Sequence, residues 1–228
     1  MEKLLATNKG SWMFVLDTSA FRNLFDIKLK AESLLLKLLD VCELCMPIAV
    51  REEISEDVKK GEFASSRKEE EEIRMILKDT RILSFPEIEK KCYKVLKRTD
   101  LKIQGLRKKA DRQCVSLSLQ LSRHEKYRFR CIYLITDDIE LFNIAQGILS
   151  RQFIGTTYFS FQMLVFLSVR RILGITKSNL VDLLNNILVS YKKFEKAKEV
   201  RELLKEVRNN ICPFNCEYRS KCPFFSRF

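Results

Sequence analysis

Histidine, glycine and long apolar runs are scarce in this chain of 228 residues. The single histidine, His124, lies in the charged segment SRHEKYRFR, which predicts a surface position and leaves no candidate for a Ser-His-Asp triad. Six glycines are too sparse to form a phosphate-binding or dinucleotide-binding loop. The longest run without charge, residues 152–169, contains Gly, Thr, Ser and Gln, so it predicts a buried strand and helix, not a membrane span.

A signal peptide is also missing from the N-terminal residues, which lack a basic segment followed by an apolar segment and a small-residue cleavage site. Eight cysteines in such a chain favour reduced thiols or metal ligands over disulfides. We therefore expect a cytoplasmic protein with no membrane partner.

Positive charge is what the sequence has in excess, with a formal net charge of +12. The excess is uneven: residues 87–130 contain 14 Lys or Arg against 5 Asp or Glu, whereas residues 51–79 contain 7 against 10. Concentrated basic segments bind phosphate backbones through the release of counterions. The composition thus predicts a polyanionic partner, and the alternative is a lysine-rich surface that is only solvated.

Short apolar segments alternate with helical patterns, which predicts an α/β fold with a mostly parallel sheet. The clearest strands are residues 12–16 and 131–135, and each stops abruptly at polar residues. After Gly174 the pattern changes to a long amphipathic helix, or a pair of helices, in which Glu alternates with Lys and Arg at the spacings of ion pairs. We expect a main domain over residues 1–173, a helical extension over 174–210 and a cysteine-containing tail over 211–228.

Two of the predicted strands end in aspartate: Asp17 follows the first, and Asp137 and Asp138 follow the later one. Each alone is typical of a turn or a helix cap, but ligands of open α/β sheets bind beyond the carboxyl ends of the strands. Clustered carboxylates need a compensating cation or a proton. Oxygen ligands suit Mg²⁺ or Mn²⁺, which activate water and stabilise the leaving oxygen of a phosphodiester. The pattern predicts an acidic metal site within a basic protein.

Four acidic motifs follow one another along the chain: LDTSAF with Asp17, PIAVREEI with Glu53, KKADRQCVSLSLQL with Asp111 and ITDDIELF with Asp138. In the order and local context of these motifs, the chain resembles the PIN-domain nucleases over residues 14–169. The resemblance implies a PIN-like three-layer α/β/α domain. It also implies that these four acids bind one or two Mg²⁺ or Mn²⁺ ions and carry catalysis.

The resemblance assigns further roles around these acids. Asp137 would be a second ligand or a spectator. Glu52 competes with Glu53, although the spacing from Val50 favours Glu53. Polar groups that would support the ligands are Thr18 or Ser19, and Thr136.

Within the family, the TDD motif and the helix after it are most similar to the Nob-type ribosomal RNA maturation endonucleases. Those enzymes have Gln-Asn-Val-Ala where this chain has Phe142-Asn143-Ile144-Ala145, and they carry a zinc ribbon that this sequence lacks. The expected function is a divalent-metal-dependent endoribonuclease that cleaves single-stranded RNA in ribosomal or other RNA processing. The alternative is a non-catalytic PIN module that binds RNA or acts as a scaffold in an RNA-processing or ribosome-assembly complex.

Basic residues around Asp111 are candidates for RNA contact, with aromatic neighbours that can stack on unpaired bases. The alternative is an ordinary solvated loop. Besides RNA, we expect a second copy of the chain or an RNA-processing protein as a partner. The candidate RNA-binding residues are Arg107, Lys108, Lys109, Arg112, Lys126, Arg128 and Arg130.

Three cysteines near the C-terminus follow the spacing Cys212-x3-Cys216-x5-Cys222. Thiolates at such spacings bind zinc or an iron–sulfur cluster, although structural zinc needs a fourth ligand from elsewhere. The alternative is a set of reduced thiols that pack among phenylalanines. The other five cysteines are predicted to be buried: Cys42, Cys45, Cys92, Cys114 and Cys131.

Overall fold

The structure, a computed structural model, describes residues 12–29, 32–64, 66–89, 106, 108–124, 131–149, 155–169, 174–190 and 197–209. The chain divides into two units, Met1–Ser160 and Phe161–Phe228. The expected boundaries after residues 173 and 210 stay predictions, and the cysteine tail lies outside the described residues.

Strands of the first unit build a five-stranded sheet and a small hairpin. In chain order the strands are β1 (Trp12–Leu16), β2 (Lys28–Leu29), β3 (Glu32–Ser33), β4 (Glu43–Cys45), β5 (Ile82–Leu83), β6 (Cys131–Ile135) and β7 (Gly155–Tyr158). The large sheet has the order β5-β4-β1-β6-β7, and each of its neighbouring pairs is parallel. After β1, the next two strands of this sheet, β4 and β5, lie on one side of β1. The last two, β6 and β7, lie on its other side. The strand order therefore reverses between β1 and β6.

Helices connect the parallel strands. Those within the described ranges are α1 (Thr18–Asp26), α2 (Leu34–Val41), α3 (Ile48–Lys60), α4 (Arg67–Lys78), α5 (Lys109–Arg123), α6 (Ile139–Leu149), α7 (Ser160–Val169), α8 (Lys177–Ser190) and α9 (Ala197–Arg208). Helices flank the sheet in a three-layer α/β/α arrangement, which confirms the predicted fold class. Within the described residues, no helix has both the length and the apolar character to cross a membrane.

The central strand β1 is apolar along its whole length because a parallel sheet covered by helices is buried on both faces. Its residues from Met13 to Leu16 have no exposed surface. Rings stack across three neighbouring strands, with centroids 5.5 Å apart for Phe14 and Tyr133 and 5.3 Å apart for Tyr133 and Tyr158. Such cross-strand aromatic pairs stabilise the register of β1, β6 and β7.

The register of β1 and β6 determines which residues meet where the strands end. Leu16 pairs with Ile135, so Asp17 and Thr136 follow at the same level of the sheet. The backbone N–H of Asp17 still donates to the carbonyl of Ile135 over 3.1 Å, and that of Thr136 to Tyr158 over 3.0 Å. The backbone hydrogen bonds of the sheet thus continue to the first polar residue after β1 and after β6.

Helices α8 and α9 of the second unit pack against each other through leucine-rich faces. The buried side chains of α8 are Leu180, Leu183, Leu184 and Ile187. Those of α9 are Val200, Leu203, Leu204 and Val207. The extension predicted from the sequence contains, over its described residues, a pair of helices.

Predictions about individual cysteines had mixed outcomes. Cys42, Cys45 and Cys114 are buried, as expected. Cys131 is exposed, so its assignment to the core was wrong: it is the first residue of β6, before the strand enters the core. Cys92, like most of the helix predicted around it, lies outside the described residues. His124 is exposed, as expected for a surface position.

Candidate functional site

Asp17 lies where β1 ends and α1 begins, and its side chain is 4% exposed. Its carboxylate caps α1 by accepting the N–H of Ala20 over 2.7 Å, and it also accepts the hydroxyl groups of Ser19 at 2.9 Å and Thr136 at 2.7 Å. Burial raises the pKa of Asp17 to about 7, although the hydrogen bonds from Thr136 and Ala20 lower it. The hydrogen bonds that hold Asp17 in place therefore favour its ionised form, whereas its burial favours the protonated form and has the larger effect.

Asp138 lies at the end of β6, next to β1. Its Oδ1 accepts the N–H of Leu141 over 3.0 Å and caps α6. Its own N–H donates over 3.0 Å to Thr136 Oγ1, the hydroxyl that donates to Asp17. In the part of the chain that the structure describes, no group donates to Asp138 Oδ2. That oxygen is available to a ligand.

Glu53 comes from α3, the helix that follows β4. Thr18 Oγ1 donates to Glu53 Oε2 over 2.7 Å, so the turn that carries Asp17 also positions Glu53. Lys108 Nζ lies 3.9 Å from Glu53 Oε1. Glu52 is exposed and pairs with Lys109 at 2.9 Å. The structure thus places Glu53, and not Glu52, against the end of β1.

Asp111 lies in the first turn of α5. This helix is joined to α3 by a hydrogen bond of 3.0 Å from the N–H of Ala49 to Gln113 Oε1. Burial raises the pKa of Asp111 to about 6, and the ammonium group of Lys108 opposes the rise. Other carboxylates raise the same pKa: Asp138, Glu53 and Glu140. Asp111 therefore shares an electrostatic neighbourhood with the acids from β6 and α3.

Asp137 has a different environment from Asp138. Its Oδ2 accepts the side-chain amide of Asn23 over 2.7 Å, and its Oδ1 accepts the N–H of Ser160 over 3.1 Å. Its own N–H donates to Ser19 Oγ over 2.8 Å. The two carboxylate oxygens thus connect Asn23 of α1 to Ser160, a structural role that fits a spectator better than a ligand.

Three residues that the sequence reasoning missed belong to this neighbourhood. Asn23 lies one helical turn after Ser19, and this spacing on one helix face was the available signal. Glu140 lies in the first turn of α6, two residues after the TDD motif. Cys114 lies one turn after Asp111, and its thiol is 3.9 Å from the carbonyl oxygen of Leu16.

The thiol of Cys114 is buried and lies close enough to Asp17 and Asp111 for their charges to affect its pKa. Burial raises the pKa of this thiol well above its ordinary value, and the charges of Asp17 and Asp111 raise it further. The thiol is therefore neutral, and its role here is packing beneath the carboxylates.

The donor chemistry fits a hard divalent cation, since the side chains at this edge offer carboxylate and hydroxyl oxygens. Burial is the main cause of the raised pKa values of Asp17 and Asp111, and neighbouring carboxylates add to both rises. Within the described ranges, however, no three His, Cys, Asp or Glu side chains are grouped closely enough to enclose a metal ion. The ligand types fit Mg²⁺ or Mn²⁺, whereas the side-chain positions do not form a closed coordination shell.

The candidate RNA-binding residues are only partly described. Lys108 and Lys109 are exposed at the start of α5, where they face Glu53 and Glu52. Arg112 is half-buried and donates to the carbonyl of Leu106. The candidates outside the described residues are Arg107, Lys126, Arg128 and Arg130, and the tail cysteines Cys212, Cys216 and Cys222.

No family model matches the chain, and no curated protein matches it. The PIN-like resemblance therefore stays a prediction from the four motifs, to which the structure adds the fold and the position of the acids.

Proposed function

We propose that this chain is a PIN-type, divalent-metal-dependent endoribonuclease that cleaves single-stranded RNA. One observation carries the proposal: the acids of the four motifs belong to elements that meet at one end of a parallel sheet. Asp17 and Asp138 follow β1 and β6, between which the strand order reverses. Ligands of open α/β sheets bind at such a reversal. The effect of Asp138 and Glu53 on the pKa of Asp111 supports their mutual proximity.

The site would hold Mg²⁺ or Mn²⁺ through Asp17, Glu53, Asp111 and Asp138, and such an ion activates water and stabilises charge on the leaving oxygen. The hydroxyl of Thr136 orients Asp17, and the hydroxyl of Thr18 orients Glu53. Lys108, exposed beside Glu53, supplies a cation for the phosphate that reacts.

RNA is the substrate we propose because basic residues concentrate in the segment that contains Asp111. Residues 87–130 carry 14 Lys or Arg against 5 Asp or Glu, and α5 begins within them. This charge attracts a phosphate backbone towards the acidic site. Single-stranded RNA is proposed on the PIN-like resemblance, and processing of ribosomal or other RNA is the role it suggests.

A second candidate function is a non-catalytic PIN module that binds RNA, or acts as a scaffold, in an RNA-processing or ribosome-assembly complex. Two observations favour it. Asp17 is already engaged by three hydrogen-bond donors, and no described group of acids encloses a cation. On this view the acids would serve mainly to cap helices and join strands.

Cleavage of labelled single-stranded RNA by the full chain in Mn²⁺ distinguishes the two functions. We expect Asp17→Asn and Asp138→Asn to reduce cleavage by about 100-fold or more, since each removes a charged ligand. Glu56→Gln is the matched control, because Glu56 is exposed on α3 one turn beyond Glu53. Full activity in both aspartate variants would contradict the proposed site. Metal-independent binding without cleavage would favour the scaffold.

We also propose a cytoplasmic location. Cys42, Cys45, Cys114 and Cys131 are free thiols, as is usual in reducing compartments. Zinc or an iron–sulfur cluster at the tail cysteines stays a prediction, as does a second copy of the chain, or an RNA-processing protein, as a partner.

A further inference from the structure

Helices α8 and α9 form a groove of about 340 Å³ in the second unit. Arg208 reaches across it, with Nη2 3.4 Å from Asn185 Oδ1. Apolar lining comes from Leu188 of α8 and from Leu204 of α9. The polar lining is basic or neutral: Asn185, Arg201, Lys205, Arg208 and Asn209.

The charges of α9 are sorted by face, because residues three or four positions apart lie on the same side of a helix. Its bases share one stripe: Lys198, Arg201, Lys205 and Arg208. Its acids share another: Glu199, Glu202 and Glu206. Its buried apolar residues share the third: Val200, Leu203, Leu204 and Val207. The lining of the groove therefore includes three of these bases, Arg201, Lys205 and Arg208, and none of the acids.

The separation of acids and bases onto different faces of α9 is not the arrangement that best stabilises an isolated helix. Acids and bases one turn apart form stabilising pairs, and like charges one turn apart repel each other. Arg201 and Lys205 are both exposed and one turn apart, and neither has an ion-pair partner among the described residues. The ion pairs that the sequence pattern suggested for this helix are thus not formed at these two positions. The positive charge at these two positions of the groove is therefore not neutralised by an ion pair within the described residues.

We propose that this groove binds the phosphate backbone of single-stranded RNA. Arg201 and Lys205 are about 6 Å apart along the helix axis, so they can contact successive phosphates. Asn185 and Asn209 offer amides to phosphate or sugar oxygens. The apolar surface of Leu188 and Leu204 suits a sugar or the edge of a base. The polyanionic ligand follows from the groove, and its identity as RNA rests on the proposed function.

Binding of a fluorescein-labelled oligouridylate to the full chain tests the groove. The measurement is fluorescence anisotropy in EDTA at several salt concentrations, so that cleavage does not interfere. We expect Arg201→Gln/Lys205→Gln to weaken binding about tenfold or more and to reduce the slope of log K against log salt by about 1.4, since each phosphate contact in a single strand contributes about 0.7.

The matched control is Lys60→Gln/Lys78→Gln, which changes the net charge equally at exposed positions on α3 and α4. It should weaken binding less than twofold. Both double variants should keep the thermal midpoint of the wild type, because all four side chains are exposed. Equal losses in the two double variants would overturn the proposal, as would wild-type protein that does not bind the oligouridylate. The proposal would also be overturned, in favour of an acidic protein partner, if binding of a labelled polyglutamate required Arg201 and Lys205 and binding of the oligouridylate did not.

The outcome is separable from that of the proposed function. Groove-dependent RNA binding without any cleavage would keep this inference and refute the endonuclease. The opposite result is loss of cleavage in Asp138→Asn together with unchanged RNA binding in the groove variant. It would support the endonuclease and refute the RNA-binding groove.

Discussion

The hydroxyl of Thr136 donates a 2.7 Å hydrogen bond to Asp17, a residue 119 positions earlier, and accepts a 3.0 Å hydrogen bond from the N–H of Asp138. One completely buried side chain thereby connects two candidate metal ligands. The connection exists only because β1 and β6 pair in the register that places Asp17 and Thr136 at the same level.

Replacement of this hydroxyl by a methyl group should affect both stability and activity. Thr136→Val leaves an oxygen of buried Asp17 and the N–H of Asp138 without their partner, so the free energy of unfolding should fall by about 1–3 kcal/mol. RNA cleavage should fall about tenfold or more, because two ligands lose their orientation. Urea unfolding followed by the fluorescence of Trp12, together with initial cleavage rates, measures both effects.

Thr157→Val is the matched control, since Thr157, within β7, is also a buried threonine. Its hydroxyl has no hydrogen-bond partner among the described residues, so its loss should leave stability unchanged or increased. Equal destabilisation by both substitutions would show that the Thr136 hydrogen bonds contribute nothing specific.

The raised pKa of Asp17 predicts that stability depends on pH in the absence of divalent metal. This pKa is about 7 in the folded chain against an ordinary value of 3.8. Between these values the folded state binds more protons than the unfolded state, so the free energy of unfolding falls as pH rises. Asp17 thus contributes stability that is complete below about pH 4 and lost above about pH 7.

Urea unfolding of the wild type and of Asp17→Asn at pH 5 and pH 8, in EDTA, measures this contribution. Between these pH values the wild type should lose about 2.6 kcal/mol more than the variant, which cannot ionise at this position. Parallel pH profiles of the two proteins would show that Asp17 ionises normally in the folded chain.

Divalent metal should stabilise the chain through the acidic cluster. Mn²⁺ at about 100 times its dissociation constant should raise the free energy of unfolding by about 2.7 kcal/mol. Asp111→Asn should remove most of this gain, because Asp111 shares the site with Asp138 and Glu53. Glu62→Gln is the control, since Glu62 is exposed beyond the end of α3. An undiminished gain in Asp111→Asn would exclude Asp111 from the metal site.

Asp137 and Asp138 should respond differently to the same substitution. Asp137→Asn replaces one acceptor oxygen by an amide group, so it cannot keep the hydrogen bonds from both Asn23 and Ser160. It should lower the free energy of unfolding by about 1–3 kcal/mol while keeping the stabilisation by Mn²⁺. Asp138→Asn should instead lose the Mn²⁺ effect. Titration of each variant with Mn²⁺ separates these roles, and loss of the metal effect in Asp137→Asn would make Asp137 a ligand.

Much of the fold was predictable because its signals are local. The apolar run before Asp17 became β1, and CIYLI became β6, with the predicted bounds. The short strand β5 and the hairpin of β2 and β3 have two-residue strands. The segment TRILSFP, an apolar pair followed by Pro86, is a local signal for β5. The hairpin has no such signal, since two residues are too few to show a period.

The sequence by itself determined the α/β class and the strands β1 and β6, because burial on both faces of a parallel sheet demands continuous apolar runs. It also showed that aspartates follow both of these strands. Only the tertiary structure joined Thr18 to Glu53, bound Asp137 to Asn23, and raised the pKa of Asp17 and Asp111. These properties depend on contacts between residues distant in sequence, and on burial that exists only once the strands and helices have packed together.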